Sequence, residues 1–159
     1  MPMFNQGPDG LNVLPLGEDI MVTQLKNVII VDGTGWEPYW GDVLIEDGKI
    51  KDIISGENIV IAEEKNFDKI LNFKVGEFPN AWLVPAFEDG MTKEKFQKEL
   101  DEIKSDMASG MKIQKSIRKM TGFGVGQREY LVKGMAANIM VIDKKTKEML
   151  AAFADGKEL

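Results

Sequence analysis

Histidine and cysteine are missing from this sequence of 159 residues. Without cysteine the chain has no disulfides and no thiolate sites, and without histidine it lacks the commonest metal ligand and the usual general base near neutral pH. Catalysis by a Ser-His-Asp triad or a Cys-His pair is therefore excluded. These two absences limit the function classes more than any other property of the composition.

Long apolar runs and an excess of basic residues are missing as well. The longest apolar runs, such as 28–31 and 81–84, are far shorter than the roughly 20 residues of a membrane-spanning helix. A formal net charge of -6 argues against nucleic acid as a partner, since phosphate binding needs a basic face. We therefore expect neither a nucleic acid nor a membrane as a partner.

Residues 1–19 show no basic region followed by an apolar stretch, so they do not resemble a signal peptide. We interpret them as an irregular lead-in and expect a cytoplasmic protein. With 43% hydrophobic and 29% charged residues, the chain can bury a core and should form one globular domain, or one and a half.

Short apolar runs separated by turn residues predict β-strands within residues 20–87. The clearest case is VLIEDGKIKDII, in which Asp47-Gly48 supplies the positive backbone angles of a tight hairpin turn. Strands are predicted again near the C-terminus in EYLVKG, ANIMVIDKK and EMLAAFADGKEL, with a second turn at Asp155-Gly156. Strands therefore flank the middle of the chain.

The apolar spacing in that middle region becomes helical from residue 92 onwards. Thr92 can cap a first helix and Gly110 can end it, and a second helix is predicted to end at Thr121-Gly122. Each helix carries one apolar stripe, formed by Phe96, Leu100, Ile103 and Met107 in the first helix and by Ile113, Ile117 and Met120 in the second.

Two segments of the sequence resemble the two ends of one enzyme family. LKNVIIVDGTGWEPYWGDVLIEDGKIKDI is similar to the opening of metal-dependent amidohydrolases, most closely the N-acyl-D-amino-acid deacylases (D-aminoacylases). SIRKMTGFGVGQREYLVKGMAANIMVID is similar to the closing segment of that branch. The resemblance covers about 21–89 and 113–159, in the same order as in the family.

The resemblance implies a pair of zinc-binding histidines after the strand that ends near VPAFED, and this sequence lacks that pair. Where the family has Val-Pro-Gly-Phe-Ile-Asp and then two histidines at alternate positions, the chain reads VPAFEDGMTK. Met91 and Lys93 stand at the histidine positions, while Ala86 replaces the glycine and Glu88 the isoleucine. We therefore predict no catalytic, cofactor-binding or metal-binding residue, and no cofactor.

The family's catalytic (β/α)₈ barrel is also expected to be absent. Such a barrel needs about 200 residues, but only roughly 20 separate Asp89 from the closing segment at Ile113. We predict a mainly β fold with a helical insert, namely a β-sandwich formed from both chain ends, 20–90 and 122–159. The helices of 92–121 would bridge these parts, with no TIM barrel.

Two further sequence features favour structural over catalytic interpretations. GFGVG at 122–126 follows a helix and leads to a strand, the reverse of a phosphate-binding loop. The carboxylate pairs at 46–47, 63–64 and 88–89 consist of adjacent residues, which point to opposite faces of a strand and suit joint acid–base work poorly. A carboxylate-only Mg²⁺ or Ca²⁺ site stays open as an alternative.

Basic and aromatic residues each form one local cluster. Lys112, Lys115, Arg118 and Lys119 predict a solvated basic helix face, with anion or partner binding as the alternative. The aromatic residues of GWEPYWGD, Trp36, Tyr39 and Trp40, are expected to cover the sandwich edge, with a binding surface as the alternative.

These observations favour a non-catalytic amidohydrolase-like module with a binding or assembly role and an unknown ligand. The alternative is a hydrolase acting on amide C–N bonds whose metal centre comes from a partner chain. A third possibility is a gene remnant without a selected function. We expect a homo-oligomer, namely a dimer through the helices of 92–121, because two exposed apolar stripes are unusual in a soluble monomer. An unknown protein partner is the alternative.

Overall fold

A computed structural model describes residues 22–55, 68–76, 78–86, 88, 90–120 and 131–159. Within them the chain forms ten strands and two helices. In chain order these are β1 (Val22–Ile30), β2 (Tyr39–Glu46), β3 (Lys49–Ser55), β4 (Lys69–Asn72), β5 (Lys74–Val75), β6 (Phe78–Pro79), β7 (Ala81–Pro85), α1 (Lys93–Ala108), α2 (Ile113–Met120), β8 (Ile139–Asp143), β9 (Met149–Ala154) and β10 (Lys157–Glu158). Neither of these helices is long and apolar enough to cross a membrane.

Eight of the strands form one mixed sheet in which the two ends of the chain meet. The order is β10-β9-β8-β7-β1-β2-β3, with β4 beside the first half of β1 and β7 beside its second half. β1 runs parallel to β4 and β7, and the other neighbours in the sheet are antiparallel. Because β7 pairs with both β1 and β8, it joins the N-terminal hairpin to the C-terminal strands.

The β2–β3 turn lies against the β9–β10 turn, so strands from distant positions in the sheet order approach each other. Asp47 and Gly48 have φ of 54° and 76°, and Asp155 and Gly156 have φ of 49° and 83°, as both predicted turns require. The Gly156 N–H donates to the Ala137 carbonyl at 3.0 Å, and the Ala137 N–H donates to the Gly48 carbonyl at 2.9 Å. The sheet therefore curls into a sandwich-like shape.

Side chains from both chain ends share the inner core of the curled sheet. This cluster includes Leu25, Ile30 and Val43 from the first two strands, Leu83 from β7, and Ile139, Val141 and Phe153 from the last strands. Full burial of such a side chain contributes about 1.5–3 kcal/mol to stability. Neither chain end can complete this core without the other.

The two helices cover the opposite face of β7, β8 and β9 and create an outer core. Along β7, Ala81 and Leu83 point into the inner core, whereas Trp82 and Val84 point into the outer core, as the alternation of a strand requires. The helices contribute Phe96, Leu100, Ile103, Ile113 and Ile117 to the outer core. Both predicted apolar stripes thus pack against the chain's own sheet, with only Met107 and Met120 half-buried, which removes the reason given for a dimer through these helices. The dimer itself stays a prediction.

The ends of α1 follow the local signals in the sequence. The Thr92 hydroxyl accepts a hydrogen bond from the Lys95 N–H at 3.2 Å, which caps the first turn. At the other end Gly110 has φ of 100°, its N–H donates to Met107, and the Met111 N–H donates to Asp106, both at 3.0 Å. This pair of bonds is a Schellman motif, which turns the chain into α2.

The predicted fold class is confirmed: the described residues form a mainly β fold with a helical insert, built from both chain ends and without a closed barrel. One predicted strand is wrong, because the described part of EYLVKG is not a strand. The Leu131 N–H donates to Asp32 and the Gly134 N–H donates to Ile50, each at 2.7 Å, so its backbone bonds go to separate partners instead of one ladder. The segments 1–19 and 122–126 lie outside the described residues.

Candidate functional site

The chain after β7 is where the family resemblance places two metal-binding histidines. The strand ends at Pro85, and the Ala86 N–H donates to the Asn138 carbonyl at 2.8 Å. Met91 is only 6% exposed and lies in the outer core. Lys93 is the first residue of α1, and it is exposed. The two positions therefore serve packing and the start of a helix.

These residues do not fit a zinc ion. The Met91 thioether is buried among apolar side chains, and a charged lysine ammonium cannot act as a ligand. The nearby carboxylate of Glu88 pairs with the Lys95 ammonium at 3.4 Å. Across the described ranges, no three acidic side chains are grouped so that they can hold a metal ion. Asp89 lies outside those ranges, as do the carboxylates at 63–64.

Glu99 on α1 is the one strongly perturbed carboxyl group in the described part of the chain. Its Oε1 atom is buried and has no hydrogen-bond partner there. Burial, and secondarily the negative charges of Glu88 and Glu102, raise the pKa of the Glu99 carboxyl to about 7. Perturbed carboxyls often mark functional sites, but Glu99 lines none of the clefts described below. Its effect is therefore expected on stability.

The turn after β1 packs against α2. The Asp32 carboxylate accepts hydrogen bonds from the Thr34 N–H at 3.0 Å and the Thr34 hydroxyl at 2.7 Å. The Thr34 hydroxyl oxygen in turn accepts from the Trp36 N–H at 3.1 Å. From α2, the Lys115 ammonium donates to the Gly35 carbonyl at 3.2 Å. These contacts fix the turn next to a helix from the middle of the chain.

Two side-chain contacts extend this docking of the turn. The Gln114 amide donates to the Glu37 carboxylate at 3.2 Å. A side chain at Gly35, which has φ of 87°, would come within 3.3 Å of the aliphatic part of Arg118. The backbone of the turn and α2 are therefore in close contact. Glycine suits position 35 because of its positive φ and because it leaves space for Arg118.

The aromatic cluster does not act as one unit. Tyr39 packs against the inner core and behaves as the predicted edge cover. Trp36 is 81% exposed, and Trp40 is 44% exposed with its indole N–H donating to the Asn27 side chain at 3.3 Å. The alternative interpretation, a binding surface, therefore fits Trp36 better than edge cover does.

The basic residues of α2 divide into two groups. Lys119 pairs with Asp106 at 2.8 Å and with Glu102 at 3.2 Å, and the Ser116 hydroxyl donates to Asp106 at 2.7 Å. Hydrogen bonds from Lys119 and Ser116 hold the pKa of Asp106 below its ordinary value. Lys119 thus joins the two helices, whereas Lys115 donates to the backbone carbonyl of Gly35.

Two of the clefts in the described part of the chain border the curled sheet at its paired turns and along β3. One of about 550 Å³ lies beside the paired turns and includes Asp47, Phe153 and Asp155 in its lining, with the Lys69–Glu158 ion pair at its side. The other, of about 860 Å³, follows β3 and the segment from Leu131 to Lys133. The described linings of these two clefts contain no histidine or cysteine.

No protein-family model matches the chain, and no curated protein matches it. Among solved structures, the chain is similar to molinate hydrolase, with 19% identity and a TM-score of 0.33 over 61% of this chain and 20% of that one. It is also similar to the N-acyl-D-glutamate deacylase of Bordetella bronchiseptica, solved with zinc and a phosphonate inhibitor, with 21% identity and a TM-score of 0.29.

The second match covers 53% of this chain and 16% of the deacylase. The chain thus spans 20% or less of the length of either enzyme. Both neighbours are amidohydrolase-family enzymes. What this chain does must be inferred from its own residues.

Proposed function

We propose that this chain is a non-catalytic module of the amidohydrolase type that acts in binding or assembly. The observation that carries the proposal is the environment of Met91, which fills the outer core where the family resemblance places a metal ligand. Lys93, at the second ligand position, starts α1 and faces solvent. Met91 therefore packs the core and Lys93 begins a helix, and neither presents a donor to a metal.

The chemistry of the sequence supports the same proposal. Catalytic zinc sites nearly always include nitrogen or sulfur ligands, and the chain has neither histidine nor cysteine. The face of β7 to β9 that adjoins these positions is covered by the chain's own helices. A substrate would have to displace the apolar side chains of α1 and α2 to reach it.

Metal analysis combined with an activity assay tests the proposal. The purified protein should hold no stoichiometric zinc by mass spectrometry and should hydrolyse no N-acyl-D-amino acid, with or without added zinc. A zinc-dependent deacylase assayed in parallel provides the positive control. About one tightly bound zinc per chain, or hydrolysis above the uncatalysed rate, would overturn the proposal.

The competing hypothesis is a hydrolase whose metal centre comes from a partner chain. It predicts that amide hydrolysis appears when the protein is co-expressed with a barrel encoded by a neighbouring reading frame, and disappears when a chelator is added. Under the non-catalytic proposal, co-expression leaves the hydrolysis rate at that of the partner alone.

A further inference from the structure

The exposed residues at and just before α2 are all lysines. Of residues 112–119, the exposed ones are Lys115 and Lys119 of α2 and Lys112, which directly precedes the helix and whose carbonyl accepts from the Ser116 N–H at 3.1 Å; the remaining side chains are buried or half-buried. Their spacing of three and four residues places them on one side of the helix. No acidic residue interrupts this face, although the whole chain has a net charge of -6. The surface is therefore a local basic feature on an acidic protein.

Trp36 stands beside this lysine face with most of its indole in solvent. It is 81% exposed, the largest exposure among the large hydrophobic residues of the described part. The preceding residue, Gly35, accepts a hydrogen bond from Lys115 at 3.2 Å and lies against Arg118. The hydrogen bonds of Asp32 and Thr34 hold the turn in shape. The backbone beside the tryptophan is therefore already ordered before any partner arrives.

An ordered, exposed tryptophan with neighbouring cations has the composition of an interface hot spot. Tryptophan is enriched among the residues that dominate binding energy, and ordering in advance reduces the entropy lost on association. Lys119 is largely compensated by Glu102 and Asp106. On the turn, the Asp32 carboxylate accepts hydrogen bonds from Thr34, and the Glu37 carboxylate accepts one from Gln114. The charge that a partner would meet comes mainly from Lys112 and Lys115.

We propose that Trp36 and the lysine face of α2 form a docking surface for an acidic protein segment with apolar side chains. The carboxylates would lie along Lys112 and Lys115, and an apolar side chain would cover the indole. Charge complementarity selects the acidic partner, and the net charge of -6 opposes the dense negative charge of a nucleic acid. The inference rests on the proposed binding role and specifies its surface.

Fluorescence anisotropy with a defined peptide tests the surface. The probe is a short fluorescein-labelled peptide in which glutamate alternates with leucine, and the same peptide with glutamine in place of glutamate is its control. Binding should be saturable, should weaken as salt is added, and should be lost with the glutamine peptide. Trp36→Ala should weaken binding about tenfold or more, and Lys112→Glu about threefold or more.

Matched variants separate this surface from general effects. Trp40→Ala removes another exposed tryptophan, and Lys104→Glu reverses an exposed charge on α1; both should bind the peptide as the unmodified protein does. Circular dichroism melting confirms that each variant is folded. No saturable binding, equal losses in the control variants, or tighter binding of duplex DNA than of the peptide would overturn the proposal. Peptide binding together with amide hydrolysis would overturn the non-catalytic proposal and leave the docking surface in place.

Discussion

At the scale of single residues, two turn glycines from distant parts of the chain touch each other. A side chain on Gly156 would place its Cβ 2.6 Å from the Gly48 Cα, at a φ of +83° that non-glycine residues rarely adopt. Both the clash and the backbone strain involve main-chain atoms, which cannot rotate away. The contact makes glycine necessary at this position.

Gly156→Ala should therefore lower the free energy of unfolding by about 2–4 kcal/mol. Gly76→Ala is the matched control, because Gly76 has φ of +63° and, among the described residues, a methyl group there would have no other atom within 4 Å. The control should lose only about 1 kcal/mol from backbone strain. Urea denaturation measures both, and equal losses would show that the two turns are not in contact.

Glu99 should make stability depend on pH near neutrality. Its pKa is about 7 in the folded state against 4.5 ordinarily, so the unfolded chain releases this proton first as pH rises. The contribution of Glu99 to the free energy of unfolding is therefore fully present below about pH 4.5 and is lost as pH rises through about 7.

Glu99→Gln should remove that dependence and raise the free energy of unfolding by about 1–3 kcal/mol at alkaline pH. Glu94→Gln, an exposed substitution in the first turn of the same helix, is the control and should follow the pH profile of the unmodified protein. Denaturant titrations between pH 5 and about 8.5 provide the measurement. Parallel profiles for Glu99→Gln and the unmodified protein would contradict the prediction.

Local signals in the sequence are sufficient for some residues and insufficient for others. Asp47-Gly48 and Thr92 were predictable because a tight turn and a helix cap depend on a few adjacent residues. The raised pKa of Glu99 was not predictable, because it arises from burial and from the charges of Glu88 and Glu102 in the folded chain. The exposure of Trp36 likewise depends on how its turn packs against α2.

At the scale of elements, the apolar stripe of α1 was predictable, but its partner was not. A helical period shows that one face is buried without showing what covers it. The same apolar stripe is expected whether a second subunit or the chain's own sheet covers the helix. The structure shows the sheet: Leu100 is 2% exposed and Ile103 1% exposed, both in the outer core.

Leu100→Ala should accordingly destabilise the whole protein by about 2–5 kcal/mol and leave a single unfolding transition. Lys104→Ala, at an exposed position of the same helix, should change stability by less than about 0.5 kcal/mol. Helical and tryptophan signals followed in one denaturant series should lose amplitude together. Separate transitions would mean that the helices fold independently of the sheet.

At the scale of the whole molecule, β7 holds the two chain ends together. A chain ending at Gly122 would lack β8, β9 and β10 and would expose one edge of β7 along with half of the inner core. We expect this truncated chain to be insoluble or unfolded, as judged by circular dichroism and gel filtration. A soluble fragment with a cooperative melting transition would contradict the shared core.

The oligomeric state is the remaining prediction at this scale. The homo-oligomer expected from the sequence needs an interface other than the helix stripes, which lie in the outer core. Light scattering at tens of micromolar measures the mass directly, and the mass of one 17.8 kDa chain would refute the homo-oligomer. Leu100→Asp with Ile103→Asp should now unfold the protein instead of dissociating it, because both side chains are internal.

The position of β7 between β1 and β8 also determines when the protein can fold during synthesis. The ribosome completes β1, β2 and β3 long before it adds residues 139–143, which form β8. Until then the apolar face of the β2–β3 hairpin has no cover from the C-terminal strands. At about 5–20 residues per second this delay lasts several seconds. Contacts between such distant segments also slow folding itself. The yield of folded protein in a cell should therefore depend on translation speed and chaperone supply.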